Sequence, residues 1–180
     1  MNKNIFRNKK VLITGHTGFK GSWLTLWLSM FGAKIMGISK DIPSKPSHFE
    51  ELKISKKIID LRFDINNFKK LKKNIHNFKP DFIFHLAAQP LVNISYKNPL
   101  ATWHSNLIGT LNLLESVKLL KKRCICVIVT SDKCYRNYEW NRGYKETDEL
   151  GGDDPYSASK GAAEIAIRSY IKSFLNNSNK

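Results

Sequence analysis

Tyr156 and Lys160 form the most suggestive chemical pairing in the chain. They lie in Tyr156-Ser157-Ala158-Ser159-Lys160, four residues apart, the spacing that sets two side chains on one face of a helix. A lysine cation beside a phenol stabilises phenolate, so the pair can take a proton from an alcohol while hydride leaves the same carbon. Alone, the pattern is common in ordinary helices and gains its weight from the motifs upstream. Thr130-Ser131-Asp132-Lys133-Cys134 ends an apolar run and places a hydroxyl, a carboxyl and an amine side by side. Ligands of open α/β sheets sit at that C-terminal strand edge. A tripeptide standing alone there reads more simply as capping and turn residues.

Gly15-His16-Thr17-Gly18-Phe19-Lys20-Gly21 follows one apolar run and opens another of helical period. Gly15 permits a tight turn, Gly18 lets the backbone approach a pyrophosphate, and Gly21 lets the helix pack on the strand. The helix N-terminus supplies amide donors and partial positive charge. Asp41 lies 20 residues beyond Gly21, where a carboxylate bonds ribose hydroxyls and repels a 2′-phosphate, although Lys40 beside it weakens that inference. Asp64 either reaches an adenine amino group or caps a helix. In His85-Leu86-Ala87-Ala88-Gln89 the two alanines let backbone lie against a nucleotide, and His85 reads as a structural histidine.

The elements that must position these residues alternate between short strands and longer helices. Apolar runs at 11–13, 33–38, 58–61, 82–86 and 125–130 have strand length and near-continuous apolar character, as strands covered on both faces require. Helical patterns fill 19–31, closed by Gly32, then 67–77, a stretch opened by Pro99 with Leu107, Ile108, Leu111 and Leu114 on one face, and 155–175, followed by a polar tail at 176–180. The expected fold is α/β, a doubly wound parallel sheet of the Rossmann type. About five strands run in the order 3-2-1-4-5, with helices on both faces, in one domain over 1–180. Trp23 and Trp27, four apart, are expected to pack on a buried helix, and Trp140 stands in an irregular stretch from 134 to 154.

Thirty Lys and Arg against 15 Asp and Glu give a net charge of +15 over 180 residues. The excess is mostly lysine in scattered doublets, and no basic stripe is interleaved with aromatics, which argues against nucleic acid as partner. No apolar run approaches the roughly 20 residues that cross a bilayer. Cys124, Cys126 and Cys134 are odd in number and lack metal-ligand spacing, which fits a reducing cytoplasm and no metal.

Four blocks together resemble the extended short-chain dehydrogenase/reductase superfamily, and within it the CDP-glucose 4,6-dehydratase family. They are 15–23, 85–92, 130–135 and 151–160, and the resemblance extends from about residue 10 to 175. Ser131-Asp132-Lys133 is the most discriminating, because dTDP-glucose dehydratases are expected to carry Glu at the position of Lys133. The resemblance implies NAD held by Gly15, His16, Gly18, Phe19, Lys20 and Gly21, by Asp41, Asp64 and Ile65, and by Leu86, Ala87, Ala88, Gln89, Tyr156 and Lys160.

It further implies an internal redox elimination on CDP-glucose. Tyr156, assisted by Lys160 and Ser131, removes the C4 hydroxyl proton as hydride leaves. Lys133 takes the C5 proton and Asp132 protonates the departing C6 hydroxyl, and hydride returns to C6. The product is CDP-4-keto-6-deoxy-D-glucose, a precursor of lipopolysaccharide O-antigen sugars. The base role calls for a Lys133 buried near Lys160. Family members continue into a C-terminal substrate domain and further strands, so this length is expected to be poorly active by itself. Helices near 99–120 and 155–175 correspond to those through which members pair as homodimers.

Overall fold

The computed structural model describes residues 4–175; the expected tail at 176–180 lies outside them. Five strands, β1 (Lys10–Thr14), β2 (Lys34–Ser39), β3 (Ile59–Arg62), β4 (Phe82–His85) and β5 (Ile125–Ile128), form a parallel sheet ordered β3-β2-β1-β4-β5. This is the Rossmann order that the alternation of elements predicts. Register is continuous through the centre, with Ile13 opposite both Gly37 and Phe84. Val11, Leu12, Ile13 and Thr14 of β1 are fully buried, as a central parallel strand requires. β5 departs from the expectation of cover on both faces: it is an edge strand, with Ile125 and Val127 exposed.

The chain divides into two compact units. The first, to Ala87 together with Leu119–Val129, contains the whole sheet. In it α1 (Phe19–Met30) starts at Gly18 in extended geometry, φ −69° and ψ 168°. It stops where Gly32 adopts φ +75°. There the Gly32 and Ala33 amides bond back to the Ser29 and Leu28 carbonyls, closing the last turn. Trp23 and Trp27 correct the expectation of a buried helix, being 51% and 59% exposed. Small residues, Gly21, Ser22 and Thr25, take the inner face with Leu28 and leave the indoles outside. The connection between β2 and β3 forms α2 (His48–Glu51), capped by Ser47, and a 3-10 turn at Ile54–Lys57, neither evident from periodicity. In α3 (Phe68–Phe78) Leu71, Ile75 and Phe78 face inward, and the Asn67 side chain accepts the Lys70 amide at 3.1 Å.

The second unit comprises Ala88–Lys118 and the chain from Thr130 onward. Its helices are α4 (Val92–Lys97), α5 (Pro99–Trp103), α6 (Gly109–Lys118) and α7 (Pro155–Tyr170). A single helix beyond Pro99 is corrected by a π-turn at His104–Ile108 between α5 and α6. The extra residue in that turn rotates α6 about its axis, so Leu113, Leu114 and Val117 are buried while Ile108 is exposed. A second π-turn, Ile171–Leu175, continues α7.

Candidate functional site

Sheet order places a topological switch between β1 and β4, and the first unit brings the glycine loop there. Gly15 has φ +76°, and a Cβ on it would sit 2.6 Å from the Ala87 nitrogen. A Cβ on Gly21 would sit 2.0 Å from the Gly15 carbonyl oxygen. Both glycines are therefore demanded by the protein's own backbone. Gly18 is not: a Cβ there meets only the Gly15 oxygen, at 3.4 Å, an ordinary contact. Space is thus kept open at the head of α1, where backbone amides and the helix dipole favour an anion.

A buried chain of hydrogen bonds holds this loop. His16 is fully buried; its Nε2 lies 2.9 Å from Asp60 Oδ1 and its Nδ1 2.9 Å from Ser39 Oγ. A carboxylate only accepts, so Nε2 carries the proton and Nδ1 accepts from the Ser39 hydroxyl. Burial holds the imidazole below its ordinary pKa, against the opposing hydrogen bond and charge of Asp60. Arg62 bonds the other Asp60 oxygen at 2.8 Å. The Thr17 amide donates to Ser39 Oγ and its hydroxyl to the Asp41 carbonyl, at 3.3 and 2.6 Å. The His16 side chain is thus spent on fixing the loop to β2 and β3.

Asp41 itself is exposed. Asp64 is not the cap of α3, which is Asn67: its Oδ1 accepts the Asn66 amide at 2.9 Å in the turn ahead of the helix, while Oδ2 lies 3.7 Å from Lys40. Ile65 is buried, and Phe19 and Lys20 are exposed. At the end of β4 the Thr14 hydroxyl bonds His85 Nδ1 at 2.6 Å and accepts the Ala87 amide at 3.3 Å. His85 is accordingly a satisfied structural histidine, and Leu86 and Ala87 follow it half-buried.

The second unit collects the acid and base candidates. Asp154 caps α7, accepting the Tyr156 and Ser157 amides at 2.9 and 3.0 Å, with Pro155 in the first turn. Tyr156 and Lys160 follow one turn apart, both buried, at 9% and 6% exposure. Burial lowers the Lys160 pKa from its ordinary value, opposed by the charge of Glu164 one turn on. Asp132–Cys134 forms a single 3-10 turn packed against α7. Ser131 Oγ accepts the Lys133 amide at 3.2 Å and donates to Asp132 Oδ1 at 3.1 Å. The expectation of a buried Lys133 is corrected: only Cys134 of the turn points inward, and Asp132 and Lys133 are exposed.

Three residues that sequence reasoning missed hold this unit together. A Cβ on Gly161 would lie 3.1 Å from the Cys134 carbonyl, so glycine directly after Lys160 lets α7 close on the 3-10 turn. Glu164 accepts the Thr130 hydroxyl at 2.5 Å, tying the start of the tripeptide to the helix bearing Lys160. Asn106, buried within the π-turn, bonds the Gln89 amide at 2.8 Å, the Gln89 carbonyl at 3.2 Å and the Ser159 hydroxyl at 2.9 Å. A polar Asn directly ahead of Leu107 and Ile108 was the available signal. The Gln89 side chain is occupied by Leu91 and Thr102, and Ala88 beside it is half-buried.

The irregular stretch is ordered by its own aromatics. Tyr138, Trp140, Tyr144 and Tyr135 stack in succession, with centroids 4.9 to 5.5 Å apart. Arg142 lies 3.9 Å from the Trp140 ring and pairs bidentately with Asp148. Trp140 therefore has a packing partner within its loop.

The family model described as GDP-mannose 4,6 dehydratase matches residues 12–177. The chain belongs to this family. Among curated relatives it is 47% identical to CDP-glucose 4,6-dehydratase of Salmonella typhimurium, over 99% of this chain and 50% of that protein. It is 32% identical to dTDP-D-glucose 4,6-dehydratase of Dictyostelium discoideum, over 96% of this chain and 43% of that protein. The solved UDP-glucose 4-epimerase of Thermus thermophilus in complex with NAD superposes with a TM-score of 0.76 at 26% identity, covering 92% of this chain and 51% of that one. The chain thus spans about half the length of the family members it matches. Among the described residues no helix is long and apolar enough to cross a membrane.

Proposed function

We propose that the chain is the cofactor-binding and acid–base part of a CDP-glucose 4,6-dehydratase that holds NAD on its first unit. The carrying observation is Tyr156 and Lys160 buried one turn apart on α7, in a family whose members act on nucleotide sugars. The identity of 47% to a CDP-glucose enzyme, with Lys133 in the tripeptide, favours the cytidine nucleotide over others. The site residues fit a dinucleotide, since Gly18 leaves the head of α1 open where Gly15 and Gly21 are internally required. NAD, when bound, supplies the hydride acceptor for C4 and the donor for C6.

The chain's own residues then move protons. Tyr156 takes the C4 hydroxyl proton, the Lys160 cation stabilises its phenolate, and the Ser131 hydroxyl steadies the sugar oxygen. Lys133, covered by the bound sugar as the base role requires, takes the C5 proton and returns it to C5 as hydride reaches C6, while Asp132 gives a proton to the departing C6 hydroxyl. Exposure of Asp132 and Lys133 leaves both reachable by a sugar. The product is a 4-keto-6-deoxy sugar nucleotide of the kind that supplies surface polysaccharides.

Incubation of the chain with NAD and, separately, CDP-, dTDP-, GDP- and UDP-sugars, read by mass spectrometry, tests the reading. At this length any loss of one water is expected to be weak, confined to CDP-glucose and abolished by Tyr156→Phe. Loss from a different sugar overturns the choice of nucleotide. Absence of NAD binding by calorimetry overturns the cofactor assignment.

A further inference from the structure

The outer face of α1 carries an apolar stripe of which only the first residue, Phe19, belongs to the cofactor loop. Phe19, Trp23, Trp27 and Phe31 recur every four residues and are 72%, 51%, 59% and 37% exposed, with Met30 beside them at 75%. Phe19, Trp23, Trp27 and Met30 border a shallow groove of about 510 Å³ whose lining is almost wholly apolar. Lys20 is the single charged residue between Phe19 and Phe31. The opposite side of the helix, Gly21, Ser22, Thr25 and Leu28, is buried. Patches of this size on soluble proteins mark interaction sites.

The stripe reads the same in both directions. Its order is Phe, Trp, Trp, Phe at equal spacing, symmetric about residue 25. An antiparallel second copy related by a two-fold axis there sets Phe19 against Phe31 and Trp23 against Trp27 of the other copy. That is the self-complementarity an isologous contact needs. At about 200 Å² per aromatic side chain the four rings offer roughly 450 Å² per copy, and with Met30 and the flanking leucines about 600 Å². A pair thus buries about 1,200 Å², within the range of specific interfaces. We propose that this face of α1 is a homotypic interface, joining two copies of the chain through antiparallel α1 helices. A lipid surface is the poorer occupant, because interfacial helices carry Lys and Arg on an exposed polar face, and here the other face is buried.

Sedimentation velocity over a range of concentrations tests the interface, with circular dichroism confirming the fold of each variant. Trp27→Glu and Met30→Glu are expected to weaken self-association at least about tenfold. Leu100→Glu, on α5 at 73% exposure, probes the separate helices through which family members are expected to pair and is expected to leave in place the association that Trp27→Glu weakens. Because each copy carries +15, association through an apolar patch strengthens as salt rises. Acrylamide quenching of tryptophan falls as the wild type associates. A chain that stays monomeric, or an assembly lost in Leu100→Glu and retained in both α1 variants, overturns the proposal. So does binding to phosphatidylserine vesicles that Trp27→Glu abolishes in a wild type showing no self-association.

Discussion

Alanine at Gly18 separates what the protein requires of its glycine loop from what a ligand requires. The loop geometry gives a new methyl only an ordinary contact, 3.4 Å from the Gly15 oxygen, and φ −69° suits any residue. Loss of a glycine N-cap costs about 0.5–1 kcal/mol. Reduced freedom of the unfolded chain returns about 0.4–1 kcal/mol. Stability should therefore move by under about 1 kcal/mol, or about 2–4 °C in a domain of this size. Gly21→Ala behaves oppositely. Glycine-to-alanine inside a helix ordinarily adds about 1 kcal/mol, but here the Cβ would meet the Gly15 oxygen at 2.0 Å. Overpacking against backbone costs about 3 kcal/mol or more. Urea denaturation followed by circular dichroism reads both changes, and calorimetric titration with NAD reads the ligand. Gly18→Ala should fold normally and bind NAD at least about tenfold more weakly, a loss of about 1.4 kcal/mol. Unchanged NAD affinity in a folded Gly18→Ala chain would refute the reasoning that the open space belongs to a phosphate.

Further outcomes rest on the buried polar groups. His16 is held neutral below its ordinary pKa, so on acidification the unfolded chain takes up a proton first. Stability should be full above about pH 6.5 and fall as pH drops through the folded value, and His16→Gln should flatten that part of a urea-midpoint profile. Lys160 is also lowered; the folded chain releases its proton before the unfolded chain does at about pH 10.4, so stability should rise with pH between the two values. Lys160→Met should remove this slope. Asp148, beside Arg142, is held down at about 2, and Arg142→Gln should return its carboxyl toward the ordinary range in a carbon-detected NMR titration. Asn106→Ala should cost about 2–3 kcal/mol in thermal unfolding, since the Gln89 backbone and Ser159 lose a shared buried partner.

The strands and the glycine loop were legible in the residues because each depends on local spacing, and the strand order followed from the alternation of strands and helices around that loop. A parallel strand buried on both faces must be apolar throughout, and a turn at φ +76° with backbone 2.6 Å from a hypothetical Cβ demands Gly15 whatever lies elsewhere. Tyr156 and Lys160 were legible for the same reason, since one helical turn brings them together. Tertiary structure decided what periodicity does not encode. The tryptophans of α1 lie outside because small residues beneath them satisfy the sheet, and the apolar face after Pro99 shifts because the π-turn inserts a residue. The side chain of His16 is held by Ser39 and Asp60 because strands β2 and β3, distant in sequence, close around it. Local geometry is written in neighbouring residues, whereas the partner of a buried polar group depends on which distant segments the packed sheet brings beside it.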